Sequence, residues 1–322
     1  MLRRRSLTAA LAVPATAALI VCASALPAAA YVRTLTTKTH VPVYWSQPRA
    51  TLELAVPPEG FTVTPLDYQE AAQSAARAWS FPALECSAVE LQISPTLVDS
   101  QEVGFDGHNR IAVRMDAWCR DPADPLTCYD HSQIAVTSVW SRHEPGQYND
   151  GEILDADILI NGVDYTWSVI PSGEGQARDF INDYDLPSAL THEVGHFLGF
   201  AHTCLLPGEE PLHDDHGVPL PLCTEVVAGP IVDATMYPFI HPAEIRDREL
   251  SSDDLRATCS TYASASRPQE GMCQVARADR RAGHARDWGG FLSGLTLIAA
   301  AHLRRRRRVQ SVARAATLRN DS

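Results

Sequence analysis

In 322 residues the chain carries 39 Asp and Glu against 27 Lys and Arg, a formal charge of −12. The excess lies in residues 31–263, where 35 acidic against 12 basic side chains give −23. Binding to phosphate backbones is driven by Lys and Arg, so nucleic acid is excluded as a partner. That body is long enough to bury one large core, and its acidity suits a solvated surface, a basic peptide or bound calcium.

Residues 1–30 read as an export signal, with Arg3, Arg4 and Arg5 ahead of an apolar run over residues 7–21. Ala28, Ala29 and Ala30 fit a small-residue cleavage site, which puts the mature start at Tyr31. Arg4 and Arg5 leave twin-arginine export open beside the general route. The body opens with a strand over residues 51–56. Asp67, with Glu70 three residues on, reads as a capping box for a helix whose apolar face is Ala71, Ala72, Ala75, Ala76 and Trp79. Strands follow at 89–93, 110–115, 133–140 and 153–160.

Six cysteines in this body suit disulfides in an oxidising compartment. The short Pro- and Asp-containing loop between Cys119 and Cys128 favours that pair, and Cys204 with Cys223 closes a second loop. Cys86 and Cys259 are then left for each other. A structural Cys–His zinc site would want a C-x-x-C spacing that the body lacks.

The chemistry concentrates in LTHEVGHFLGFAH, residues 190–202. His192 and His196 stand four apart, so a helix points both imidazoles at one ion. Gly199 can take the left-handed conformation that ends a helix, and the returning chain brings His202 to the same ion. Three nitrogens leave tetrahedral Zn²⁺ one open position, the mark of a catalytic rather than a structural site. Glu193, beside the first ligand, is placed to act as a general base. Asp185 can cap this helix, Pro187 suits its first turn, and Leu190, Val194, Phe197 and Leu198 form an apolar stripe opposite the histidines. His213, Asp214, Asp215 and His216 form a second polar group, but in a Pro-rich loop without a rigid scaffold they read as solvated.

At H-E-x-x-H-x-x-G-x-x-H the chain resembles the metzincin metallopeptidases, and within them the matrixins. The resemblance implies an α+β zincin fold, with a twisted mixed sheet, an active-site helix, a methionine turn and a C-terminal helix. It identifies Met236 as the turn methionine, with Tyr237 and Pro238 as a substrate-pocket wall. Some metzincins bind zinc through a tyrosine two residues after that methionine; here the position is Pro238, so no such ligand is expected. Residues 250–262 are similar to the last matrixin helix, with Ser252 as cap, Asp253 and Asp254 in the first turn, and Leu255, Cys259 and Tyr262 on one face. ILDADILIN resembles the strand before the zinc helix, which makes residues 133–140 the edge strand above the cleft. The second, structural zinc of animal matrixins is not carried over: His131 and His143 lie nearby, but ILDADILIN has no histidine. The implied function is that of an exported, monomeric, zinc-dependent endopeptidase acting on a peptide or protein. The rival is a surface-displayed adhesion module that keeps zinc without turnover, though zinc alone does not need Glu193.

Residues 264–287 read as a linker, and 288–303 as an apolar span of 16 residues, short beside the roughly 20 that cross a bilayer. Five arginines follow at 304–308, then a basic tail over 309–322. This arrangement resembles the C-terminal sorting signals of some bacterial surface proteins, with Gly289 and Gly290 or Cys273 as the recognition point, and implies a transient membrane anchor.

Many matrixins are held latent by a propeptide cysteine on the zinc. Residues 31–50 contain no cysteine and are too few to fold as an inhibitory domain, so the body is expected to be active as soon as it folds with zinc. Refolding residues 31–263 with zinc should give peptide cleavage at once, abolished by chelator; activity only after trimming downstream of Tyr31 would contradict this.

Overall fold

The computed structural model describes residues 31–264, except 48, 81–84, 173–178 and 227. The export signal, all of the linker beyond Ser264, the apolar span and the basic tail lie outside the described residues.

The chain starts with a two-residue strand, β1 (Val32–Arg33), then β2 (Arg49–Ala55), α1 (Pro65–Ala78), β3 (Glu90–Val98) and β4 (Arg110–Arg114). β5 (Ala135–Ser141) and β6 (Ile153–Asn161) precede two short strands, β7 (Trp167–Ser168) and β8 (Tyr184–Asp185). The helix α2 (Leu186–Phe197), the short β9 (Phe200–Ala201) and α3 (Ser252–Thr261) complete the order. Five strands form a mixed sheet in the order β3-β2-β4-β6-β5, parallel except for β5, which runs antiparallel to β6 at one edge. The fold is therefore α+β, with a mixed sheet and few helices. Among the described residues no helix is long and apolar enough to cross a membrane.

The expected strands form, with local differences that have local causes. β3 runs on past Ile93 to Val98 because it lies at the other edge, where Pro95 forfeits no ladder bond. α1 is capped by Thr64, three residues ahead of the expected Asp67. The Thr64 hydroxyl accepts from the Asp67 amide at 3.2 Å and donates to its carboxylate at 2.7 Å, and Pro65 opens the helix. Glu70 is thus an interior helical residue.

One face of the sheet, through Leu52, Leu54, Ile111, Val113, Ile158 and Ile160, packs against both long helices. Ala72, Ala75, Ala76 and Trp79 of the α1 segment and Leu190, Val194 and Phe197 of α2 fill the interface. The Trp79 indole also donates to the Thr191 carbonyl at 2.8 Å, tying the first helix to the second. On the other face lies a smaller cluster of Ala55, Ala112, Trp118 and Leu159. Burial on both sides explains why β4 is inaccessible along its length.

That second face is fastened by polar side chains. Asp155 and Asp157, two apart on β6, share a side of the strand. Asp155 accepts from the Asp106 and Gly107 amides, and Asp157 from those of Gly104 and Arg110, each at 2.7 Å. Burial nonetheless pushes the Asp157 carboxyl up to about 7. The buried Arg114 guanidinium donates to the carbonyls of Gln101, Cys119 and Arg120. Among the described residues the three motif histidines are the one group of three or more His, Cys, Asp or Glu whose ligand atoms converge.

All three expected disulfides are present: Cys86–Cys259, Cys119–Cys128 and Cys204–Cys223. Such bonds persist in oxidising, non-cytoplasmic compartments.

Asp185 caps α2 as expected, accepting from the Ser188 amide at 3.0 Å and its hydroxyl at 2.8 Å. It is fully buried, and a second partner explains how a charge survives there: Arg248 forks onto both its oxygens, with Nε 2.7 Å from Oδ2. Arg248 also donates to the Ile170 carbonyl at 2.6 Å. Removing one partner of a buried pair strands the other, at about 3–5 kcal/mol. Asp185→Ala should lose about that much stability in urea unfolding, and Asp185→Ala/Arg248→Met should recover part of it.

Candidate metal centre

α2 is an amphipathic helix turned to an unusual end. Leu190, Val194 and Phe197, with Leu198 just beyond, enter the core and leave the histidine side facing a cleft. Its last carbonyls are taken by side chains from elsewhere: Trp45 donates to Phe197 at 2.8 Å and the Tyr262 hydroxyl to Leu198 at 2.7 Å. Gly199 follows with φ +84°, the left-handed region. A Cβ there would also lie 2.6 Å from the Val43 carbonyl oxygen, so both conformation and close approach require glycine. The chain then passes through β9 to His202.

The three imidazoles meet. His202 Nε2 is 3.3 Å from His192 Nε2 and 3.1 Å from His196 Nε2. His192 Nδ1 lies 2.6 Å from the Thr235 carbonyl and His196 Nδ1 2.8 Å from the Phe200 carbonyl. Carbonyls only accept, so both Nδ1 atoms carry the protons and both Nε2 atoms present lone pairs. His202 Nε2 faces both of these lone pairs, so the three nitrogens converge on one point. Burial holds the rings neutral, pushing His192 down to about 4 and His196 to about 3, and His202 well below its ordinary value. Neutral, convergent imidazoles, two of them held in one tautomer, fit a divalent metal ion, and zinc is compatible with this donor set.

Glu193 is buried beside this group without joining it. The Thr137 hydroxyl of β5 donates to its Oε2 at 2.5 Å. Burial raises its carboxyl to about 7, against the lowering effect of that hydroxyl. Glu193, His196, His202 and Thr137 all line a cleft of about 430 Å³, with Thr34 and Val43 on another wall.

Met236 lies beneath the helix. A Cβ added to Gly195 would fall 2.2 Å from the Met236 sulfur and 2.9 Å from Trp79, so only glycine lets the two pack. The preceding residue is held by α3: Asp254 Oδ2 accepts from the Thr235 amide at 2.8 Å. α3 is capped by Ser251, not Ser252, because Ser251 and Asp254 form a reciprocal capping box. Leu255 faces outward, whereas Asp253, Asp254, Ala257, Thr258 and, as expected, Tyr262 are buried. Tyr237 and Pro238 are half-buried, with Tyr237 edge-on to Phe239, and they are not among the residues lining the cleft.

Other candidates stay apart. His131 pairs with Asp164 at 2.7 Å, and His143 sits in the cleft wall. Asp214 accepts from the amides of His216 and Val218, which makes the 213–216 group a surface turn. The contacts of Thr137 with Glu193, Thr235 with His192 and Asp254 with Thr235 escape sequence reading because each joins residues well separated in the chain.

No protein-family model matches this chain, and no curated protein is similar enough to be counted a relative.

Proposed function

We propose that the chain is a zinc-dependent endopeptidase of the matrixin-like metzincin kind, working outside the cytoplasm. The observation that carries this reading is the convergence of three neutral Nε2 atoms in a cleft beside a buried carboxylate that is not one of them. Zn²⁺ bound by His192, His196 and His202 would supply a Lewis acid that acidifies water and polarises a carbonyl.

The protein's own groups account for the rest. Glu193 takes the proton of the attacking water and hands it to the leaving amine. A carboxyl raised to about 7 suits both halves of that transfer near neutral pH. Thr137 fixes the rotamer of Glu193 by donating to one oxygen, which leaves the other available for the proton. Among the described residues β5 pairs with β6 alone, which leaves an edge of backbone N–H and C=O groups along the cleft. An extended peptide can add there as another strand and bring its carbonyl over the histidines. Tyr237 and Pro238 would border the substrate further along.

Glu193→Ala should retain metal yet lose about 10²–10⁴ of its turnover on a peptide library, the share usually supplied by general acid–base catalysis. The parent should be silenced by chelator and restored by Zn²⁺. A metal-replete parent that cleaves nothing in the library would favour an adhesion module over an enzyme.

A further inference from the structure

The residues ahead of the main sheet do more than lead into it. β1 pairs antiparallel with β9, Val32 opposite Ala201 and Arg33 opposite Phe200, so it flanks the two residues just before His202. The carbonyls of Gly199 and Phe200, in the turn between the second and third histidines, both meet this segment. The Gly199 carbonyl accepts from the Thr34 amide at 2.9 Å and from Arg33 Nε at 3.4 Å. The Phe200 carbonyl accepts from the Thr34 hydroxyl at 3.2 Å and from His196 Nδ1 at 2.8 Å.

Arg33 stands at the centre of this arrangement. Its Nη1 donates to Thr261 Oγ1 of α3 at 3.0 Å, and its Nη2 donates to the Val43 carbonyl. That is the same carbonyl that presses on Gly199. The guanidinium also lies over the Phe200 ring, 5.7 Å from its centre. Its hydrogen-bond partners are two carbonyls and a hydroxyl, none of them a carboxylate. A partly buried charge without a counterion is costly, and a planar fork is the group that can satisfy several fixed acceptors at once. Four pieces of chain therefore meet on one side chain: β1, the 41–45 segment, the turn after α2, and α3.

We propose that Arg33 is a positioning residue for the metal centre, setting the Gly199–Ala201 turn so that His202 meets His192 and His196. Lysine at this position keeps the charge and the apolar stem but loses the fork. This role rests on the three histidines being metal ligands, and its test reads metal affinity rather than peptide cleavage.

The experiment uses the full chain and Co²⁺ as a visible-spectrum probe, with affinity measured by chelator competition. Melting is followed in the metal-free forms. Arg33→Ala should weaken Co²⁺ binding by about 10–100-fold, the usual effect of removing a group that orients a ligand. It should also alter the ligand-field bands, and Arg33→Lys should fall between the variant and the parent. Should Arg33→Ala fail to fold, Arg33→Lys alone decides: weaker binding with altered bands supports the role. Either folded variant that melts lower but binds Co²⁺ within twofold of the parent, with unchanged bands, overturns it and leaves Arg33 a stability residue. A parent that takes up no Co²⁺ defeats the metal reading itself, and this inference with it.

Discussion

Three uncharged imidazoles bring their Nε2 atoms to one point, and holding them there is the constraint that the surrounding structure answers. Left to itself, each ring would turn its Nε2 to water. The carbonyls of Thr235 and Phe200 prevent that for His192 and His196 by taking the Nδ1 protons. Burial removes the alternative of protonation, since a charged ring there would lose its solvent. The group so held could bind a metal ion without rearranging the rings.

Holding that arrangement requires a helix that cannot shift. α2 is fixed at its start by Asp185 and Arg248, in its middle by Trp79 on the Thr191 carbonyl, and at its end by Trp45 and Tyr262. Met236 against Gly195 sets the depth at which the helix lies. Asp254 does two things with one carboxylate: it caps α3 and holds the Thr235 peptide whose carbonyl faces His192. A change in α3 is thereby felt at His192 through two hydrogen bonds.

What could be read from the sequence was local chemistry with a fixed period or spacing. His192 and His196 follow from helical geometry, Gly199 from the turn that must come next, Asp185 from its position before an apolar-periodic run, and the disulfides from an even cysteine count with short loops. Cap positions were less secure because neighbouring candidates compete. Thr64 prevails over Asp67 because Pro65 follows it, and Ser251 over Ser252 because only Ser251 has Asp254 three residues on. Contacts between distant residues left no trace. Thr137 meets Glu193 across 56 positions, Arg33 meets Gly199 across 166, and Arg248 meets Asp185 across 63. None of these pairs has a pattern that a single chain displays before it folds. Residues 31–50 show no periodicity that would assign them an element, although Val32 is among the most buried residues.

The pairing of β1 with β9, together with the bond between Cys86 and Cys259, also sets a timetable. Val32 must wait for Ala201, and Cys86 for a partner 173 positions later. Such long-range closures come late in folding, because their loop entropy is lost before the contacts repay it. A partly synthesised or partly translocated chain therefore holds the histidines of α2 without the frame that aligns the third. If the proposed function holds, hydrolytic competence would arrive only when nearly the whole domain has formed in an environment that can oxidise its thiols.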